Sequence, residues 1–149
     1  MRKPYTRFPV DNPGPALKGE KSIWEPMLLV RLALGRRAAT PRFRAVVDSG
    51  SPFCIFKADI AQLLGIDFEK GEQDNIGGII AGPREPIYFH NVNIYVETDW
   101  VIPVRAGFMK KLHANGILGR NGFFDNFHVH FDHSVFPSVV EIKRIEKPQ

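Results

Sequence analysis

Ala45-Val46-Val47-Asp48-Ser49-Gly50-Ser51 is the stretch on which the reading of this chain turns. Three apolar residues run into a carboxylate, and the carboxylate runs into a turn. Phe43, Ala45 and Val47 alternate with Arg44 and Val46, the period of a strand with one buried face. Asp48 therefore stands at the end of a buried strand, where an unpaired charge is expensive. Gly50 lacks a Cβ, so a neighbouring backbone can come close and its own N–H can donate to a carboxylate. The Ser49 hydroxyl can both donate and accept. Asp48 is the one aspartate in the chain followed by Ser-Gly. A turn residue bonding its local backbone would account for the tripeptide. It would not account for a second run downstream, Asn115-Gly116-Ile117-Leu118-Gly119-Arg120.

Outward from this turn the chain reads as short strands. Before it, Leu28, Val30, Leu32 and Leu34 alternate with Met27, Leu29, Arg31 and Ala33, so nearly continuous apolarity covers both faces. Gly35 to Pro41 is a turn, which makes the two strands a hairpin ending in Asp48. After it, Lys57 to Gly65 predicts a short helix with Ile60, Leu63 and Leu64 on one side and Gly65 just past its end. Ile87 to Val96 and Val101 to Arg105 are strands joined by Thr98-Asp99-Trp100. Short helical turns are expected over Phe108–Leu112 and Arg120–Asn126. Phe127, Val129 and Phe131 alternate with His128, His130 and Asp132, and Val139, Val140 and Ile142 mark a last strand. Residues 1–22, with Pro4, Pro9, Pro13 and Pro15, read as an extended arm outside a domain spanning 23–145. The expected class is mainly β: a small closed antiparallel barrel with one or two short helices.

Bulk properties narrow the function. The chain has 149 residues, one domain's worth, with 44% hydrophobic residues and a formal net charge of +4. One cysteine excludes a disulfide framework and any multi-cysteine zinc site. Cys54, between Phe53 and Ile55, reads as a small buried apolar residue. No segment has the length and apolarity of a membrane span, and the basic start lacks the apolar core of a secretory signal, so a cytoplasmic location and no membrane partner are expected. His128 and His130 share a strand face and invite a metal reading. Their place in the polar phase of an alternating strand argues for a solvated face, and no metal is expected. Arg31, Arg36, Arg37, Arg42 and Arg44 form a basic cluster. Without an exposed aromatic stacking platform, it reads as a solvated hairpin end and not a nucleic-acid site.

The two runs together resemble the retropepsins, single-domain aspartic proteases that build one site from two identical chains. Val46-Val47-Asp48-Ser49-Gly50-Ser51 is similar to the family's apolar-apolar-Asp-Thr/Ser-Gly-Ala/Ser motif. Ile117-Leu118-Gly119, continued by Arg120-Asn121, is similar to its second motif. The resemblance implies that the barrel is of the retropepsin type and that Asp48 is catalytic. It implies that Ser49, Gly50 and Ser51 hold the dyad, and that Ile117, Leu118, Gly119 and Arg120 support the site from behind. It places a substrate flap at Ile76, Gly77, Gly78 and Ile79. It further implies a homodimer acting on a peptide or protein substrate, with no cofactor because water is the nucleophile. The rival implication is a catalytically inactive peptide-binding or scaffolding domain of the same fold. Pro52 and Phe53 depart from the acidic residues usual after the first motif. Arg120 must therefore find another partner, for which Asp125 is a candidate, while Phe53 becomes available to line an apolar cleft.

Overall fold

The computed structural model describes residues 1–37, 39–76, 85–98 and 100–148. Among them the chain forms twelve strands and one α-helix, so it is mainly β, as the alternating pattern predicts. It divides into two units, Leu28–Asn126 and the paired terminal segments Met1–Met27 and Phe127–Gln149.

The first residues form short strands: β1 (Arg2–Pro4), β2 (Thr6–Pro9) and β3 (Ser22–Glu25). β2 and β3 pair antiparallel from Thr6↔Glu25 to Pro9↔Ser22. Pro4 and Pro9 sit at strand ends in sheets of two or three strands, where a missing N–H is tolerated.

The central unit contains β4 (Met27–Ala33), β5 (Phe43–Val47), β6 (Ile55–Lys57), α1 (Ala58–Leu63), β7 (Glu72–Ile76), β8 (Glu85–Val96), β9 (Trp100–Met109) and β10 (Gly116–Leu118). Neighbours run β4-β5-β10-β6-β9-β8, and β8 pairs back onto β4, which closes a six-stranded barrel. β7 extends it from the other edge of β8. Closure removes the free edges that an open sheet would expose. Two seams are parallel: β10 with β5, and β6 with β9. The inward phase fills the barrel: Leu28, Val30 and Leu32 on β4, Ala45 and Val47 on β5, and Ile102, Val104, Ala106 and Phe108 on β9 are all buried. Thr40 is buried too, and its Oγ1 accepts the Leu32 N–H at 3.0 Å, so the polar group is satisfied in the core.

The helix is where the sequence places it, with one difference. Ile60, Ala61 and Leu64 are buried, but Leu63 is 62% exposed. At 100° per residue, positions 60, 61 and 64 share an arc that 63 falls outside. The Gly65 N–H donates to Gln62 O and the Ile66 N–H to Ala61 O, both at 3.0 Å, and Gly65 has φ +70°. This pair of bonds is a Schellman cap, and the left-handed conformation favours glycine there. The helical turn expected at Phe108–Leu112 is not formed. Phe108 is instead the last buried residue in the alternation of β9, which runs on to Met109. Residues 120–126, where the other helical turn is expected, form hydrogen-bonded turns, with the Phe123 N–H on Gly119 O at 3.3 Å and the Asn126 N–H on Phe123 O at 2.9 Å.

The terminal unit ends in β11 (Phe127–Asp132) and β12 (Val139–Arg144), which form the hairpin read from the sequence, and β1 pairs with β12 to give the order β1-β12-β11. Phe127, Val140 and Ile142 are buried, and His128 and His130 lie exposed.

Candidate active site

Asp48 follows β5 directly, and its backbone continues that strand's parallel seam with β10. Ile117 pairs with Val46 and Leu118 with Val47, and the Asp48 N–H donates to Leu118 O at 3.0 Å. The two runs quoted from the sequence are thus neighbouring strands, though about seventy residues of chain separate them. Beyond Asp48 the backbone folds into a turn closed by the Ser51 N–H on Asp48 O at 3.2 Å. The Gly50 N–H donates to Asp48 Oδ1 at 2.8 Å, which fixes the carboxylate over its own turn. Asp48 is half-buried, while Ser49 and Gly50 are exposed.

The turn is held from behind by the segment after β10. Ser51 is buried, and its hydroxyl donates to Phe53 O at 2.8 Å. The Arg120 N–H donates to Ser51 O at 2.9 Å, and the Asn121 N–H to Pro52 O at 2.9 Å. Phe53 and Asn121 complete a parallel bridge. Gly119 packs against this backbone without a gap. A Cβ there would lie 2.5 Å from the Phe53 carbonyl carbon and 2.8 Å from Ser51 O, and closer still to Phe53 O. No side chain fits, which is the physical reason for glycine at this position.

Arg120 has a partner other than the expected Asp125. Its guanidinium donates to Ser49 O at 2.8 Å. Asp125 is engaged elsewhere: its Oδ2 accepts the Gly122 N–H at 3.0 Å. With proline and phenylalanine where an acidic partner would stand, a carbonyl of the Asp48 turn takes the cation. The sequence also gave no hint that the Asn121 side chain doubles its backbone bond by donating to Pro52 O at 2.6 Å.

Asp48, Ser49, Gly50, Ser51, Ile117, Leu118, Gly119 and Arg120 are therefore brought together around one turn. Of the flap residues, Ile76 ends β7 and pairs with Glu85 of β8. Gly77, Gly78 and Ile79 lie outside the described residues. Cys54 sits beside the turn, wholly buried. Burial pushes its thiol up to about 11 from an ordinary 9.0, which leaves it protonated and unsuited to nucleophilic work near neutrality.

Other residues singled out from the sequence have separate roles. His133 Nε2 shares a hydrogen bond with the Tyr5 hydroxyl at 2.9 Å. Among the described residues no three His, Cys, Asp or Glu side chains are grouped to hold a metal ion. The Arg31 guanidinium lies 5.1 Å from the Tyr95 ring centroid, on the face of the ring, and Arg36, Arg37, Arg42 and Arg44 are exposed.

No protein-family model matches the chain, and no curated protein does. Solved structures similar to it include the following two. One is EIAV protease complexed with an inhibitor, at 18% identity, covering 64% of this chain and 82% of that one with a TM-score of 0.45. The other is the retroviral protease-like domain of Ddi1 from Leishmania major, at 20% identity, covering 63% and 72% with a TM-score of 0.41.

Proposed function

We propose that this chain is an aspartic endopeptidase that works as a homodimer, each copy giving one Asp48 to a shared pair. The observation that carries the reading is the parallel seam of β5 and β10. It holds a half-buried carboxylate at a rigid turn whose next two residues, Ser49 and Gly50, are exposed. One such turn per chain makes half a site. A two-fold dimer juxtaposes identical patches and so supplies the other half. Two carboxylates about 3 Å apart cannot both ionise, as is general for aspartic proteases, so one keeps a proton while the other acts as base. The pair titrates as a unit, draws a proton from water, and donates one to the departing amide nitrogen. In this scheme the Gly50 N–H orients Oδ1, and Arg120 fixes the Ser49 peptide. Gly119 permits the close packing that keeps the turn from drifting.

The test is peptide cleavage by wild type and Asp48→Asn, with sedimentation of both. Cleavage by wild type and none by a dimeric Asp48→Asn is the expected result. Equal cleavage by the two proteins overturns the chemistry. A strict monomer that binds peptides without cutting them would favour the inactive peptide-binding domain instead.

A further inference from the structure

Between Glu25 and Asp48 the chain carries five arginines, Arg31, Arg36, Arg37, Arg42 and Arg44, and no lysine, aspartate or glutamate. They fall on the outward phase of β4 and β5 and on the connection between these strands. The Arg37 N–H donates to Leu34 O at 2.9 Å, which closes the turn that carries Arg36 and Arg37. Arg42 leads into β5, and Arg44 stands on the phase opposite buried Ala45. Arg36, Arg37, Arg42 and Arg44 are exposed, and none of the four is ion-paired with another described residue. Clustered like charges repel, and here only solvent and salt offset them.

This surface adjoins a groove of about 420 Å³ on the outside of β8 and β9. β4 pairs with β8, and Gly35, next to the arginine turn, lines the groove with Asn91, Asn93, Pro103 and Arg105. Asn93 Nδ2 donates to Gly35 O at 3.4 Å, and Asn91 Oδ1 accepts from Arg105 Nη1 at 3.3 Å. Each bond uses one end of a side-chain amide. The Asn91 NH2 and the Asn93 carbonyl oxygen are left over, a donor and an acceptor two residues apart on one face of β8. A peptide backbone carries the complementary groups, a C=O and an N–H. Glu72 reaches Arg105 from β7 and is neutralised by it.

We infer that the groove and the arginine turn beside it dock an acidic peptide segment of a partner protein. The segment lies extended, with its backbone on Asn91 and Asn93 and its Asp or Glu side chains on Arg36 and Arg37. Alternate side chains of an extended peptide point the same way about 7 Å apart, so acids at every second position suit the site. Arginine suits carboxylates because its planar fork makes two parallel hydrogen bonds to them. Nucleic acid is the less suited polyanion. Tyr95 is covered by the Arg31 guanidinium at 5.1 Å, and Phe89 by Phe53 at 5.1 Å between ring centroids. Neither ring is an open platform for a base. The stretch from Arg42 to Asp48 spans about 20 Å of strand, so this surface is separate from the Asp48 turn. The inference therefore stands apart from the endopeptidase reading.

The experiment is fluorescence anisotropy of labelled probes with the full chain at low salt. One peptide has Glu at alternate positions among Ser, and its counterpart has Gln in place of each Glu. A single-stranded RNA of the same net charge as the Glu peptide is the third probe. The Glu peptide is expected to bind, with the Gln peptide about tenfold weaker or more, and binding should weaken as salt rises. Arg36→Gln with Arg37→Gln should weaken the Glu peptide about tenfold. Asn91→Asp, which removes the amide donor and adds a like charge, should do the same. Lys18→Gln with Lys21→Gln removes equal charge from the terminal unit and should stay within about twofold of wild type. Equal affinity for the Glu and Gln peptides, or binding of neither, overturns the docking surface. So does an unchanged affinity in the double arginine variant, or an equal loss in the double lysine variant, which would reduce the effect to net charge. RNA bound more tightly than the Glu peptide overturns the peptide as occupant.

Discussion

Replacing Gly119 by alanine puts the smallest possible side chain where the site has no room. The new Cβ would sit 2.5 Å from the Phe53 carbonyl carbon and 2.8 Å from Ser51 O, both backbone atoms that no rotamer change can move away. Relief requires the segment from Ser51 to Phe53 to shift by an appreciable fraction of an ångström or more. That shift stretches the Ser51 hydroxyl bond to Phe53 O and the Arg120 N–H bond to Ser51 O, now 2.8 and 2.9 Å. Overpacking of this kind costs about 1–3 kcal/mol, and each of the two weakened hydrogen bonds adds about 0.5 kcal/mol, so a loss near 3 kcal/mol is expected. For a chain of this size, that corresponds to a fall in Tm of about 6–12 °C. Thermal and urea unfolding followed by circular dichroism measure it, with Gly50→Ala as the control. There the added Cβ meets only the Asp48 carboxylate, Oδ1 at 3.1 Å and Cγ at 4.0 Å, a side chain on an exposed turn that can give way, and stability should stay within about 0.5 kcal/mol. If Gly119→Ala unfolds within experimental error of wild type, the tight layer behind the Asp48 turn is wrong, and so is the role given to the second motif.

Arg120→Met removes the guanidinium from Ser49 O; a stability loss of about 1 kcal/mol is expected by urea titration, with a larger proportional loss in peptide cleavage. Thr40→Val leaves the buried Leu32 N–H without its side-chain acceptor and should cost about 1–3 kcal/mol in the same assay. Cys54 should react with a disulfide reagent near pH 8 only as fast as the barrel opens, and rapidly in denaturant. Because burial raises the folded thiol above its ordinary 9.0 to about 11, its contribution to stability is complete below pH 9 and is lost as pH climbs from 9 towards 11. Cys54→Ala should flatten that alkaline decline, a comparison made by urea midpoints across the pH range.

The residues that specify local geometry were legible in the sequence. Alternation marked β5, β8 and β11, and Gly65 marked the helix end because only one conformation suits that cap. The Asp48 turn was legible because a carboxylate after three apolar residues contradicts the pattern around it. Pairing between distant strands was not. Nothing in Val46 or Ile117 alone says that they are parallel neighbours, since apolar alternation is the same whichever strand lies beside it. Apolarity alone puts Leu63 on the buried side, although its angular position on the helix takes it outside the arc of Ile60, Ala61 and Leu64. Charge alone pairs Arg120 with a carboxylate, while the structure satisfies it with a carbonyl. A main-chain acceptor carries no signature in the sequence. The helical turn expected at Phe108 failed because β9 needed that ring for its own inward phase.

The most direct test of the shared site mixes wild type with Asp48→Asn at constant total chain concentration, allows subunits to exchange, and follows peptide cleavage as the mixture is varied. If each active centre needs an acid from both copies, activity falls as the square of the wild-type fraction, to about one quarter in an equal mixture. Activity that stays proportional to wild type, about one half in that mixture, would mean that each chain works alone and would contradict the account.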